Sequence, residues 1–178
     1  TKNGAIGLIL VLVALSLFLD LRLAFLVAVG IGLSFTATFA VMPWLGVSIN
    51  MLSLFGFILA IGIVVDDAIV IGENIYAERE RGTGPLEAAV KGAQRIAVPV
   101  TFAVLTTVVA FTPLLFVPGA IGKFLKNIPL IVITVLLFSL VESLFILPHH
   151  LSHLPEHAHA RLPKWLGFLQ RAQDYVQR

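Results

Sequence analysis

The sequence predicts an all-α integral membrane helical bundle: five transmembrane helices, then an amphipathic helix on the cytoplasmic membrane surface. Three observations predict it. Hydrophobic residues make up 58% of the 178-residue chain and charged residues only 12%, about half the charged share of a soluble domain. The apolar residues gather into five runs, and about 20 helical residues cross a hydrocarbon core about 30 Å thick. The runs are apolar on every side and about twice the length of a barrel strand, so helices that satisfy their own backbone are the expected form.

Taken in order, the first run spans about 4–19 and is short. The others span about 23–42, 51–71, 96–117 and 124–147. Between the first two lies the tight polar turn "DLR" at 20–22. "PWLGVSIN" at 43–50 offers Pro, Gly and a tryptophan suited to the interface, with Asn50 as the N-cap of the third helix. Residues 74–95 form the only long polar connection between spans. There Gly82 and Gly84 break the chain, and Pro85 fits the first turn of a short helix. "PGAIGKFLKN" at 118–127 is a glycine-containing turn. These five spans make up a membrane segment over 1–148. Residues 149–178 form a histidine-containing linker and then the surface helix, in which Leu162, Trp165, Leu166, Leu169 and Ala172 recur at helical spacing.

Charge sets the expected orientation. Arg22, Arg79, Arg81, Lys91, Arg95, Arg161, Lys164, Arg171 and Arg178 fall on one side; Lys2, Lys123 and Lys126 fall on the other. By the positive-inside rule the first group is cytoplasmic, so the N-terminus is periplasmic and the C-terminus cytoplasmic. The chain enters its first apolar run within three residues of Thr1 without a basic leader or a small-residue cleavage site. No signal peptide is expected, and the start reads as a cut inside a longer protein. There is no cysteine, which excludes disulfides and thiolate metal sites. The basic residues are scattered near the ends of apolar runs, which does not suit nucleic-acid binding. P-loop, G-x-S-x-G and H-E-x-x-H motifs are absent, so neither an enzyme nor a cofactor is expected.

Against this background "GIVVDDAIVIGEN" at 62–74 stands out. An aspartate near a helix centre costs about 2.5–3.5 kcal/mol on an insertion scale, so Asp66 and Asp67 together cost roughly 5–7. The thirteen Leu, Ile, Val and Phe residues of 51–71 return roughly 4–8 kcal/mol. The helix is left near break-even, and protonation or an opposite charge must improve the balance. No Lys or Arg lies inside any span, so a stabilising cation must come from other polypeptide. Side by side, the two acids point about 100° apart and titrate as a coupled pair. Such a pair suits a proton relay. The structural alternative is that they hydrogen-bond to Thr106, Thr107, Ser139 or Ser143.

Other polar residues are candidate accessories. Glu73 lies two turns beyond Asp66 on the same face, with Asn74 beside it. Both either lead protons out or mark the end of the helix. Glu142 is a helix-end acid that reaches headgroups or pairs with His149 or His150, or else it takes part in the proton path. His149 and His153 have the i, i+4 spacing of metal ligands, but Pro148 and Pro155 break the stretch, so a solvated interfacial segment is expected there and no metal. Gly56 and Ala60 form a small-xxx-small packing pair.

The stretch 46–82, "GVSINMLSLFGFILAIGIVVDDAIVIGENIYAERERG", closely resembles the fourth transmembrane helix and flanks of resistance–nodulation–division (RND) efflux permeases of the hydrophobe/amphiphile branch. The double aspartate followed by Glu-Asn is the specific part. "FLDLRLAFLVAVGIGLSFTATFAVM" is similar to the second and third helices of that family. Residues 97–151 are similar to its fifth and sixth, and 161–178 to the surface helix that follows. The resemblance implies a proton-driven antiporter exporting drugs and other small amphiphiles across a bacterial inner membrane. In it Asp66 and Asp67 are the relay carboxylates and a lysine from the second half of the permease is their counter-charge. It further implies periplasmic domains outside this chain, a homotrimer, and partnership with a periplasmic adaptor and an outer-membrane channel. A fragment lacking the other half is expected to be inactive alone. Two alternatives stand beside this reading. One is a non-transporting membrane module for assembly or lipid and sterol sensing. The other is an exporter of the heavy-metal branch, against which the double aspartate argues.

Overall fold

The computed structural model describes residues 21–152. The first expected span, the linker beyond Ser152 and the surface helix lie outside the described residues. Within them every regular element is helical: α1 (Leu21–Val41), α2 (Met51–Glu80), α3 (Pro85–Phe111), a 3₁₀ turn (Thr112–Phe116), α4 (Gly119–Leu125), α5 (Asn127–Val141), a π-helical segment (Glu142–Ile146) and α6 (Leu147–Ser152). The last four run on as one rod from Gly119 to Ser152. Three rods are long and apolar enough to cross a membrane: Met51–Glu80, Pro85–Phe116 and Gly119–Ser152. The fourth, α1, carries a shorter apolar stretch over Phe25–Val41. The chain is an all-α membrane bundle.

Local chemistry explains the boundaries. α1 closes into a turn in which the Val47 N–H donates to the Met42 carbonyl, with Met42 and Val47 buried and Trp44 exposed. Asn50 then caps α2. Its side-chain oxygen accepts from the N–H groups of Leu52 and Ser53, and the Ser53 hydroxyl oxygen accepts from the Asn50 N–H. This reciprocal box satisfies donors that the first turn would otherwise leave bare.

The connection after α2 differs from the sequence expectation. Helix persists through "ENIYAERE" to Glu80, and chain reversal takes only Arg81 to Gly84. The residues of 73–80 are adequate helix formers, and the first breaker is Gly82, at φ 83°. Pro85 opens no short helix; it opens a 27-residue one. That helix runs through Pro99, which leaves the Arg95 carbonyl without its helical donor. The expected turn at 118–127 is mostly helical too, as α4.

The centre of the bundle is α2, packed against α1, α3 and α5. Val64, Ala68, Ile71 and Ile75 are at most 1% exposed and form its inner stripe, at the spacing of one helix face. Small residues set the approach of its neighbours. A Cβ on Gly56 would stand 3.1 Å from Ile131 Cβ. One on Gly92 of α3 would stand 2.6 Å from Ile75 Cα. At the opposite end of α2, Phe57 stacks on Phe39 of α1 at 4.5 Å between centroids and meets Phe35 at 5.2 Å.

The Gly92 contact is with backbone and cannot be relieved by a side-chain rotation. Gly92→Ala is expected to lower stability by about 1–3 kcal/mol, the usual cost of overpacking. Gly32→Ala, where an added Cβ meets nothing within 4 Å, is expected to be neutral or mildly stabilising. Thermal melts of the two variants in one detergent check the contrast.

Candidate functional site

Asp66 and Asp67 sit midway along α2, at the edge of its inner stripe. Val64, Val65 and Ala68 around them are buried; Asp67 is half-buried and Asp66 exposed. The pair therefore faces outward from this set of helices. Neither carboxylate takes part in a hydrogen bond or ion pair with any described residue. The hydroxyls expected to hold them are engaged elsewhere. Thr106 donates to the Phe102 carbonyl and Thr107 to the Ala103 carbonyl, each closing on its own helix. Ser143 donates weakly to the Leu140 carbonyl at 3.4 Å. Ser139 is buried with its hydroxyl unpartnered.

Glu73 lies two turns beyond Asp66 and, like it, is exposed. The face they share continues to the Gly82 end of α2. Asn74 is turned back on its helix, its amide donating to the Val70 carbonyl at 2.9 Å. Beyond it, Glu78 accepts from Arg81 and, at 3.3 Å, from Arg95 of α3. This bridges the two helices where the connection is shortest. Exposed arginines at such a site add little stability on their own, but Glu78 itself is only 15% exposed.

Glu142 lies where the sequence reading did not put it. Instead of reaching toward headgroups it is 4% exposed, inside the bundle. Its carboxylate occupies the space beside Gly30 of α1: a Cβ added there would fall on the Glu142 carboxyl group. His149 and His150 are exposed further along the rod, and neither pairs with it. Ser139, Glu142 and Ser143 share one face of the rod at i, i+3 and i+4, all buried.

Depth can be read from the packing contacts. The rods α2 and Gly119–Ser152 run parallel, since one crossing separates them, and Gly56 meets Ile131. Asp67 is eleven residues beyond Gly56, and Glu142 is eleven beyond Ile131, so both have risen about 16 Å and stand level. The antiparallel α1 agrees. From the Phe39–Phe57 stack, nine residues back lead to Gly30 and ten forward lead to Asp67. On α3 the Gly92–Ile75 contact sets Thr101 level with Asp66, nine residues away along each helix. Thr106 and Thr107 stand more than a turn further toward the Asn50 end.

The two aspartates stand out in the sequence as candidates, whereas Gly30 and Thr101, their neighbours in depth, do not. The available signal for Glu142 was the polar stripe 139, 142, 143 within an otherwise apolar run. Among the described residues no group of three or more His, Cys, Asp or Glu side chains could hold a metal ion.

The AcrB/AcrD/AcrF family matches residues 1–177 of this chain. Multidrug resistance protein MdtC of Salmonella arizonae is 40% identical over 145 residues, which are 81% of this chain and 14% of that protein. MdtC of Photorhabdus laumondii is 35% identical over 150 residues, 84% of this chain and 14% of that protein. MdtC of Proteus mirabilis is 38% identical over 121 residues, 68% and 12% respectively. The chain therefore spans 12–14% of the length of these curated relatives.

The Gly30–Glu142 contact gives a direct test of the packing. Gly30→Ala is expected to destabilise the protein by about 1–3 kcal/mol. Shortening the acid in the double variant Gly30→Ala/Glu142→Asp should recover part of the loss, with a coupling energy of about 0.5–3 kcal/mol. A double-mutant cycle of melting measurements in detergent reads it.

Proposed function

Since this chain belongs to the AcrB/AcrD/AcrF family of RND permeases, we propose that it is part of the membrane sector of a proton-driven exporter of drugs and other amphiphiles, with Asp66 and Asp67 as the proton-relay pair. One observation carries the reading. Two adjacent acids sit halfway along a transmembrane helix, on its outward face, with no partner among the described residues. Intramembrane acids are costly and mark ion pathways when they face a bundle interior or aqueous cavity. The outward face of α2 becomes such an interior when the rest of a longer permease packs on it.

The proposed relay works by exchanging compensation. In one state a lysine from the other half of the permease neutralises the pair. In the other, protons do so and the lysine is released. Proton entry on one side and loss on the other then bias the packing of the two halves, which drives export in periplasmic domains outside this chain. Glu73, exposed on the same face as Asp66, leads the path toward the cytoplasmic end. Asn74 does not mark the end of the helix, which continues to Glu80, and its amide is already committed to the Val70 carbonyl.

The setting proposed for this machine is a bacterial inner membrane. Arg79, Arg81, Lys91 and Arg95 cluster at the Gly82 end and mark it as cytoplasmic by the positive-inside rule. The permease works as a homotrimer with a periplasmic adaptor and an outer-membrane channel, and it catalyses no covalent chemistry. The relatives named as multidrug resistance proteins support drugs as the cargo class.

The test is neutralisation of each acid in the full-length permease. Asp66→Asn and Asp67→Asn are each expected to reduce efflux of a fluorescent dye to the level of cells lacking the pump, with membrane abundance unchanged. Wild-type efflux in both variants overturns the relay. Lost assembly with intact proton flux would instead favour a non-transporting module.

A further inference from the structure

The relay leaves one intramembrane acid unused. Glu142 is 4% exposed, is closed in by α1, and meets no hydrogen-bond donor among the described residues. Three features converge on it. The first is room made for a carboxyl group: Gly30 is the one residue type whose side chain leaves that space open, since any Cβ there would fall on the carboxylate. The second is the π-helical backbone. The Leu147 N–H donates to the Glu142 carbonyl five residues back, and such bulges occur frequently at functional sites. The third is the Ser139 hydroxyl, buried without a partner one turn before it on the same face.

Among the described residues no ion pair reaches it. The π-helical segment packs against α1, α2, α5 and α6. α1 carries Arg22 about two turns along the helix from Gly30. α5 brings no titratable group. α6 brings His149 and His150, both exposed. α2 brings Asp66 and Asp67 at the same depth, on its outer side, and Glu73, Tyr76, Glu78, Arg79 and Glu80 nearer the Gly82 end. α3, which packs on α5 and α6, brings the exposed Lys91 and Arg95 toward the Gly82 end.

We propose that Glu142 is a second proton-binding site of the membrane sector, cradled by Gly30 and level with Asp66 and Asp67 but separate from them. The proposal rests on the reading that this sector moves protons. One proton converts the carboxylate to a neutral acid that the closed α1 contact tolerates. Loss of that proton to admitted water leaves an uncompensated charge against Gly30, which favours separation of α1 from the Gly119–Ser152 rod. Proton occupancy and α1 packing are thereby linked.

The experiment uses the full-length permease in lipid and reads two things. Infrared difference spectra between about pH 5 and about pH 9, the range that buried carboxyls reach, should contain a carboxylic-acid carbonyl band that vanishes in Glu142→Gln. The band should move in Glu142→Asp, which serves if the first variant does not fold, and persist in Asp66→Asn/Asp67→Asn. Export against pH should change shape in Glu142→Gln, an uncharged isostere that preserves packing, and return toward wild type in Glu142→Asp. A spectrum with no pH-dependent band sensitive to Glu142 overturns the proposal, as does a Glu142→Gln export profile that superposes on wild type. Active export by the Asp66→Asn and Asp67→Asn variants overturns the aspartate relay instead, and leaves the Glu142 band to be judged on its own.

Discussion

Hydrocarbon offers no hydrogen-bond partner, and almost every polar feature of this chain answers that constraint. The backbone answers it by being helical throughout the described spans. The hydroxyls answer it by folding back: Ser34, Thr36, Thr38, Thr106, Thr107, Thr112 and Thr134 each donate to the carbonyl four residues earlier. A hydroxyl can do this because it is a donor and the carbonyl of the preceding turn is in reach. An ionised carboxylate cannot, since it only accepts and the helix interior has no spare N–H. The same constraint that makes serine and threonine harmless here leaves Asp66, Asp67 and Glu142 conspicuous.

Much of the fold was legible in the sequence for that reason. Long apolar runs have one stable backbone form in lipid, so the helical class and the four rods follow from composition and length. Asn50 was legible as a cap because the preference has a local mechanism, and the structure closes the box with Ser53. The helix ends at 71–85 were less legible. Hydropathy marks where a span leaves hydrocarbon, whereas a helix ends where its backbone is broken, and "ENIYAERE" contains no breaker. The polar stretch after Ile71 therefore continues the rod into water.

The candidate site was legible in one half, as a candidate only. Paired aspartates in an apolar run violate a strong expectation and can be seen without any fold. Glu142 violates the same expectation, but its position in the last third of its run made it resemble a helix end. What separates a snorkelling acid from a buried one is the opposing helix, and the opposing residue here is a glycine, which has no pattern to read. Depth was hidden for the same reason. It emerges only when Gly56 is seen against Ile131 and Gly92 against Ile75.

Those contacts also show how the bundle divides. Close approach at Gly56 of α2 and at Gly92 of α3 leaves α2 little slack toward α5 and α3, because interiors this close respond to single methyl groups. α1 is held differently. Phe35 and Phe39 lie on Phe57 toward the Asn50 end, and about one and a half to two and a half turns away along α1 Gly30 meets a carboxyl group rather than an apolar surface. Aromatic rings can slide or tilt at small cost, while a carboxyl group that gains or loses a proton changes its interaction with everything around it by far more than a methyl group does. On the proposal made for Glu142, the Gly30 contact is a point among the described helices where a chemical change too small to alter their shape alters which of them stay together.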